Sequence, residues 1–195
     1  EMNRRWRDEW VQHTLDEQAG DQLTGGKIHP LQISLAAQEL LGERDWLVYD
    51  GGNTHFWAEI GVKVAGARGK RLAGILHPGS FSMLGIGVPL ALAVRNTHAD
   101  ARVVLVSGDG AFLCGGHSLE LAFQENLPIV VVIDNNGGLD CISQQQERLF
   151  PDGSHYATDF RDIPFHTMVQ GLGGHGELVE RLEDLRPAIE RALAS

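Results

Sequence analysis

Two apolar strands, each ending in a polar, glycine-rich cluster, constrain this chain more than any other feature of its sequence. In residues 103–138, "VVLVSGDGAFLCGGHSLELAFQENLPIVVVIDNNGG", the first run stops at Gly108-Asp109-Gly110. The second stops at Asp134-Asn135-Asn136-Gly137-Gly138, with 24 residues between Gly110 and Asn135. Continuous β-branched runs separated by a helix-length stretch are the pattern of parallel strands joined by a crossover helix. Ligands of open parallel sheets sit outside the carboxyl ends of the strands. The polar clusters therefore stand where a ligand would, at the tips of strands read as deeply buried.

A third tip repeats the theme. The short strand 46–50, "WLVYD", runs straight into Gly51-Gly52-Asn53-Thr54. Further strands are expected at 102–107 and 128–134. Helices are expected at 29–43, where Pro30 sits near the start and Gly42 follows the last turn, and at 83–94, 117–126, 159–170 and 180–194. The fold class is α/β, a three-layer α/β/α arrangement around a mainly parallel sheet. Residues 1–27 form a polar N-terminal extension. Trp6 and Trp10 there lie four apart on a possible partner-docking helix, and "EQAGDQLTGGK" reads as a flexible connection.

Composition narrows the function classes. With 195 residues and 43% hydrophobic content, one large domain can bury a substantial core. A formal net charge of −10 argues against nucleic acid or an anionic membrane as partner through a basic surface. The two cysteines, Cys114 and Cys141, have no metal-ligand spacing, and no stretch of 18 apolar residues or signal peptide is visible. A soluble, cytoplasmic protein is the expectation.

The tips carry a specific chemistry. Glycine lets backbone approach a diphosphate and supplies unobstructed N–H donors. Asp109 offers a hard anionic oxygen and Asn136 a neutral amide oxygen, and one carboxylate with carbonyls, diphosphate oxygens and water is a usual Mg²⁺ environment. Either cluster alone would pass as an ordinary turn. Together, on successive strands, they read as a site.

Gly108-Asp109-Gly110, then 24 residues, then Asn135-Asn136 resembles the cofactor motif of thiamine diphosphate-dependent enzymes. From about residue 28 to the end, the chain is similar to the diphosphate-binding (PP) domain of their acetolactate synthase-like, decarboxylase and 2-hydroxyacyl-CoA lyase branch. "GIGVPLALA" and "DFRDIPFHTMVQGLGGHG" agree in order. The resemblance implies Mg²⁺ ligands Asp109, Asn136 and the Gly138 carbonyl. It implies diphosphate contacts from Asn53, Thr54, Gly108, Gly110, Ala111 and Asn136. Leu84 falls at the apolar position that wedges between the two cofactor rings and enforces their V shape. The implied reaction makes or breaks a carbon–carbon bond beside a carbonyl, on a 2-oxoacid or an acyl-CoA.

The catalytic glutamate of such enzymes lies on a pyrimidine-binding (Pyr) domain, for which this sequence has no counterpart. The resemblance therefore implies a PP-domain subunit that needs a Pyr partner, as in a heterotetramer. Glu1-Met2-Asn3 fits a native start at Met2, and an excised fragment is the alternative. Substrate signals divide. "GGNT" and "GSFSML" resemble the 2-hydroxyacyl-CoA lyase and oxalyl-CoA decarboxylase group, but "DNNGGLDCISQQQ" does not carry that group's usual residues after its glycine pair, and Gln145 stands where acetolactate synthases carry an active-site tryptophan. A non-catalytic diphosphate-binding module is the reading from another class. Among other polar residues, His55 could face the cofactor edge, His77 could line the substrate channel, and one of Gln144, Gln145 and Gln146 is expected to face the site.

Overall fold

The computed structural model describes residues 2–18, 27–150 and 152–195. Most of the expected flexible connection lies outside these residues. Helix α1 (Met2–Gln18) opens the chain, and α2 (Pro30–Glu39) follows with His29 as its N-cap. The His29 ring accepts the Leu31 N–H while the Gln32 side chain reaches back to the His29 N–H, so two end donors are satisfied reciprocally. Then come β1 (Trp46–Tyr49), α3 (Asn53–Ala67), β2 (Gly74–Leu76), α4 (Gly87–Thr97), β3 (Val103–Gly108), α5 (Asp109–Gly115) and α6 (Leu119–Gln124). The chain continues through β4 (Val130–Asp134), α7 (Asp140–Leu149), α8 (Phe165–Gly171) and α9 (Leu182–Ala194).

The four strands form one sheet in the order β2-β1-β3-β4, and every pairing is parallel. Side chains alternate across it. Leu47, Tyr49, Val104 and Val106 face α2, α3 and α9 in one core, through Ile33, Ala37, Leu41, Ala58, Leu185 and Ile189. Val48, Val103 and Leu105 face the other, with Val88, Leu92, Phe112, Leu119 and Phe165. This is the expected three-layer arrangement. β3 is buried along its whole length, as its unbroken apolar run requires. β4 is at the sheet edge among the described residues and is only half-buried until Asp134, so the expectation of two equally buried strands fails for it.

Several boundaries differ from the sequence reading. α4 begins at Gly87 instead of residue 83, because a turn with Gly85 at φ +86° intervenes. α8 begins at Phe165, directly after Pro164. The helix over 117–126 resolves into a 3₁₀ turn, Gly116–Ser118, followed by the shorter α6. α1 packs on α3 with Val11 buried and Trp6 exposed. No described helix is long and apolar enough to cross a membrane.

Candidate functional site

The site is built at the carboxyl end of the sheet, where β1, β3 and β4 each hand over to a helix. β3 runs without a loop into α5, so Asp109, the first residue of that helix, is carried on the most buried strand and is only 2% exposed. Its Oδ1 accepts the Gly110 N–H at 2.6 Å. Its Oδ2 accepts the N–H groups of Gly137 at 2.8 Å and Gly138 at 3.0 Å. One carboxylate therefore locks the β4 turn onto the tip of β3. Gly138 has to be glycine, since a Cβ there would come within 2.5 Å of the Thr158 carbonyl oxygen.

A segment after α7 closes over this turn. Leu139 N–H donates to the Thr158 carbonyl, Phe160 N–H donates to the Gly137 carbonyl, and Gly138 pairs with Asp159 in an antiparallel bridge. Among the described residues no donor takes up the Gly138 carbonyl. The Asn136 side chain is exposed, and its Oδ1 accepts the Gly138 N–H at 3.3 Å. The Thr158 hydroxyl, buried beside the turn, has no hydrogen-bond partner.

The electrostatics of this end are acidic. Burial pushes the Asp109 carboxyl above its ordinary value, against the pull of its three N–H donors, and the Asp140 charge adds to the rise. Asp134, buried beneath, is pushed up to about 7 by burial first and then by Asp109 and Asp140. A carboxylate oriented by N–H groups, with a free carbonyl and an amide oxygen beside it and no cationic side chain among its bonded partners, suits a divalent cation. The expected Mg²⁺ donors lie where the turn after β4, with Asn136 and Gly138, is bonded to Asp109 at the tip of β3, and their chemistry is compatible with a divalent cation.

The first tip is arranged differently. Asn53 and Thr54 open α3. The Asn53 amide N–H donates to Asp140 Oδ2 at 2.5 Å, which ties the β1 tip to the start of α7. Thr54 is buried, with its hydroxyl close enough to Gly108 to exclude a Cβ there. Gly110 and Ala111 lie in the first turn of α5, and the Gly110 N–H is engaged by Asp109. Leu84 sits on the loop between β2 and α4, 37% exposed, and lies against Gly52. Gln144 donates to Asp140 and Gln146 to the Tyr156 carbonyl, while Gln145 is exposed. His55 is buried with its Nδ1 at 3.4 Å from Ser82 Oγ; its ring lies 5.4 Å from that of His77, which stacks on Tyr49.

Sequence reasoning passed over Asp50, Asp140 and Thr158. Asp50 stood at a strand tip, which was a signal, but its partners are distant in sequence. Asp140 opens α7, an amphipathic helix that the sequence reading did not take as one, and Thr158 lies in a segment without a periodic pattern.

An α/β/α sheet with a buried carboxylate and glycine-rich turns at the carboxyl ends of its strands defines a class, and the comparisons with known proteins agree with it. Residues 50–195 match the family described as thiamine pyrophosphate enzyme, C-terminal TPP binding domain. The chain belongs to that family. A probable acetolactate synthase of Mycobacterium bovis is 36% identical over 171 residues, which cover 86% of this chain and 30% of that protein. The catabolic acetolactate synthase of Raoultella terrigena is 28% identical over 182 residues, 93% of this chain and 31% of its own length. Human 2-hydroxyacyl-CoA lyase 2 is 29% identical over 157 residues, 79% of this chain and 23% of its own. The chain spans less than a third of each of these relatives.

Proposed function

We propose that this chain is the diphosphate-binding part of a thiamine diphosphate- and Mg²⁺-dependent enzyme that makes or breaks carbon–carbon bonds beside a carbonyl, acting on a 2-oxoacid. The observation that carries the reading is the Asp109 carboxylate, buried, oriented by Gly137 and Gly138, and without a cationic partner. Asp109, Asn136 and the Gly138 carbonyl would hold the metal. The backbone of Gly108, Gly110 and Ala111, with Asn53, Thr54 and Asn136, would receive the diphosphate. Leu84 would separate the cofactor rings. When bound, the cofactor supplies the carbon nucleophile that adds to the substrate carbonyl. The chain's own part is to fix position and keep water from the reacting end.

A Pyr domain, on a separate subunit or on a further part of a longer chain, would complete the site. Residues 28–195 would form the PP domain, and residues 1–27, with Trp6 facing outward, a docking extension. An acyl-CoA substrate is the second reading. It draws on the similarity to 2-hydroxyacyl-CoA lyase 2 and on Gln145 standing exposed on α7 in place of a tryptophan.

Calorimetry on the whole protein tests the reading. The parent should bind thiamine diphosphate only with Mg²⁺, and Asp109→Ala should weaken binding by at least about 100-fold while the domain stays folded. Equal affinity in parent and variant would overturn the metal assignment.

A further inference from the structure

Asp50 follows the last residue of β1, is 1% exposed, and belongs to none of the contacts assigned to metal or diphosphate. Its carboxylate is nevertheless fully engaged. Oδ1 accepts the N–H groups of Gly51 at 2.9 Å and Gly85 at 3.0 Å. Oδ2 accepts the Gly87 N–H at 3.2 Å and the Ser107 hydroxyl at 3.3 Å. None of these partners is a cation, so fixed dipoles alone meet the buried charge.

The source of those dipoles gives Asp50 its meaning. Gly87 is the first residue of α4, and the residue in the N-cap position, Ile86, has no side chain able to cap the helix. Asp50 takes over that role from a neighbouring strand, where a carboxylate is also favoured by the helix dipole. The Gly85 N–H belongs to the peptide unit that joins Leu84 to Gly85. With Gly85 at φ +86°, a left-handed conformation open to glycine, the chain turns sharply just after Leu84. Asp50 therefore pins the plane of the peptide that carries Leu84. A second tether grips the same loop from its other side, because Ser82 Oγ accepts the Gly52 N–H at 3.1 Å and approaches His55 Nδ1 at 3.4 Å.

We propose that Asp50 is the positioning residue of Leu84, holding that side chain between the two cofactor rings through the Gly85 and Gly87 N–H groups without touching the cofactor. The proposal rests on the thiamine diphosphate reading. Asparagine cannot replace the carboxylate, because it offers one acceptor oxygen and turns an NH₂ toward N–H donors.

The test is Asp50→Asn in the whole protein. In the ligand-free state, amide hydrogen exchange at Gly85 and Gly87 should rise about tenfold or more, since their acceptor is lost. In the loaded state, affinity for thiamine diphosphate should stay within about threefold, while proton exchange at the reactive thiazolium carbon slows by about 100-fold, the scale of a misplaced group. The double variant with Leu84→Ala should exchange no more slowly than Leu84→Ala alone, because Asp50 acts through Leu84. If Asp50→Asn does not fold, Ser107→Ala removes the hydroxyl that Asp50 Oδ2 shares with the Gly108 carbonyl and should slow thiazolium exchange by about tenfold while affinity stays within about threefold. Unaltered amide and thiazolium exchange in a parent-like variant would overturn the role of Asp50 and leave the cofactor reading intact. Affinity and exchange falling together would also overturn it, as a purely structural residue behaves that way. A parent that, assembled with its Pyr domain, binds no thiamine diphosphate would remove both.

Discussion

Two buried aspartates at opposite ends of the sheet separate stability from function at the scale of the residue. Asp45 lies where β1 begins. It accepts the Gly42 N–H at 2.7 Å, the Arg102 backbone N–H at 3.0 Å, and the Arg102 guanidinium at 3.0 and 2.5 Å. Burial alone would raise its carboxyl, but Arg102 and the backbone donors outweigh it and hold it below its ordinary 3.8. Asp109 has backbone donors only, and there burial wins. The first carboxylate closes on a cationic side chain, while the second meets backbone N–H groups alone. Asp45→Asn should therefore cost about 2 kcal/mol near neutral pH, the scale of hydrogen bonds to a charged group. A depressed carboxyl stabilises the fold fully above its unfolded value and ceases to do so as pH falls through the lower folded value. Urea midpoints of parent and variant should thus differ at pH 7 and converge well below pH 3.8. A constant difference would assign the effect to packing rather than charge.

At the scale of the element, legibility followed periodicity. β3 was readable because every residue of it is buried and its first four are apolar, and α9 because its apolar residues recur at helical spacing. α3 went unread: it begins at Asn53 straight from a glycine pair, and its apolar content is interrupted by small and polar residues that pack against α2. α5 was hidden for the opposite reason, since a motif read as a turn continues directly into a helix. Of the site, the Asp109–Gly138 cradle could be anticipated from residue type and spacing. The segment over 152–160 could not, because its hold on the Gly137-Gly138 turn is made by backbone groups whose partners no local pattern reveals.

That segment carries a pH-dependent clasp. His155 Nε2 lies 2.8 Å from Glu147 on α7 and Nδ1 lies 3.1 Å from Asp159, whose residue bridges to Gly138. The two carboxylates hold the imidazole above its ordinary 6.5, Glu147 contributing first. A raised histidine contributes fully below its unfolded value and loses its contribution as pH rises through the folded one. Protection of the Leu139 and Phe160 amides should accordingly be higher in the parent than in His155→Ala at pH 6, and the two should converge as pH rises through the raised value of the folded ring. A difference that persists at high pH would mean that the ring acts by packing alone.

At the scale of the whole molecule, the loop that carries Leu84 forms an apolar rim, with Phe81 91% and Met83 56% exposed. Large exposed apolar side chains mark an interaction face, and a Pyr partner seated over the Leu84 loop is the expected occupant. The same partner surface would then cover the rim and complete the site, so assembly and cofactor retention become one event. Aromatic anchors at the centre of an interface dominate its energy, typically by about 2 kcal/mol or more each. Phe81→Asp should weaken assembly with the Pyr partner by at least about 30-fold in native mass spectrometry and lower thiamine diphosphate retention in parallel. Its own melting temperature should hardly change, because a side chain so exposed gives the isolated fold little. If Phe81→Asp assembles as the parent does, the partner approaches by another face, and the apolar rim would have to serve the substrate instead.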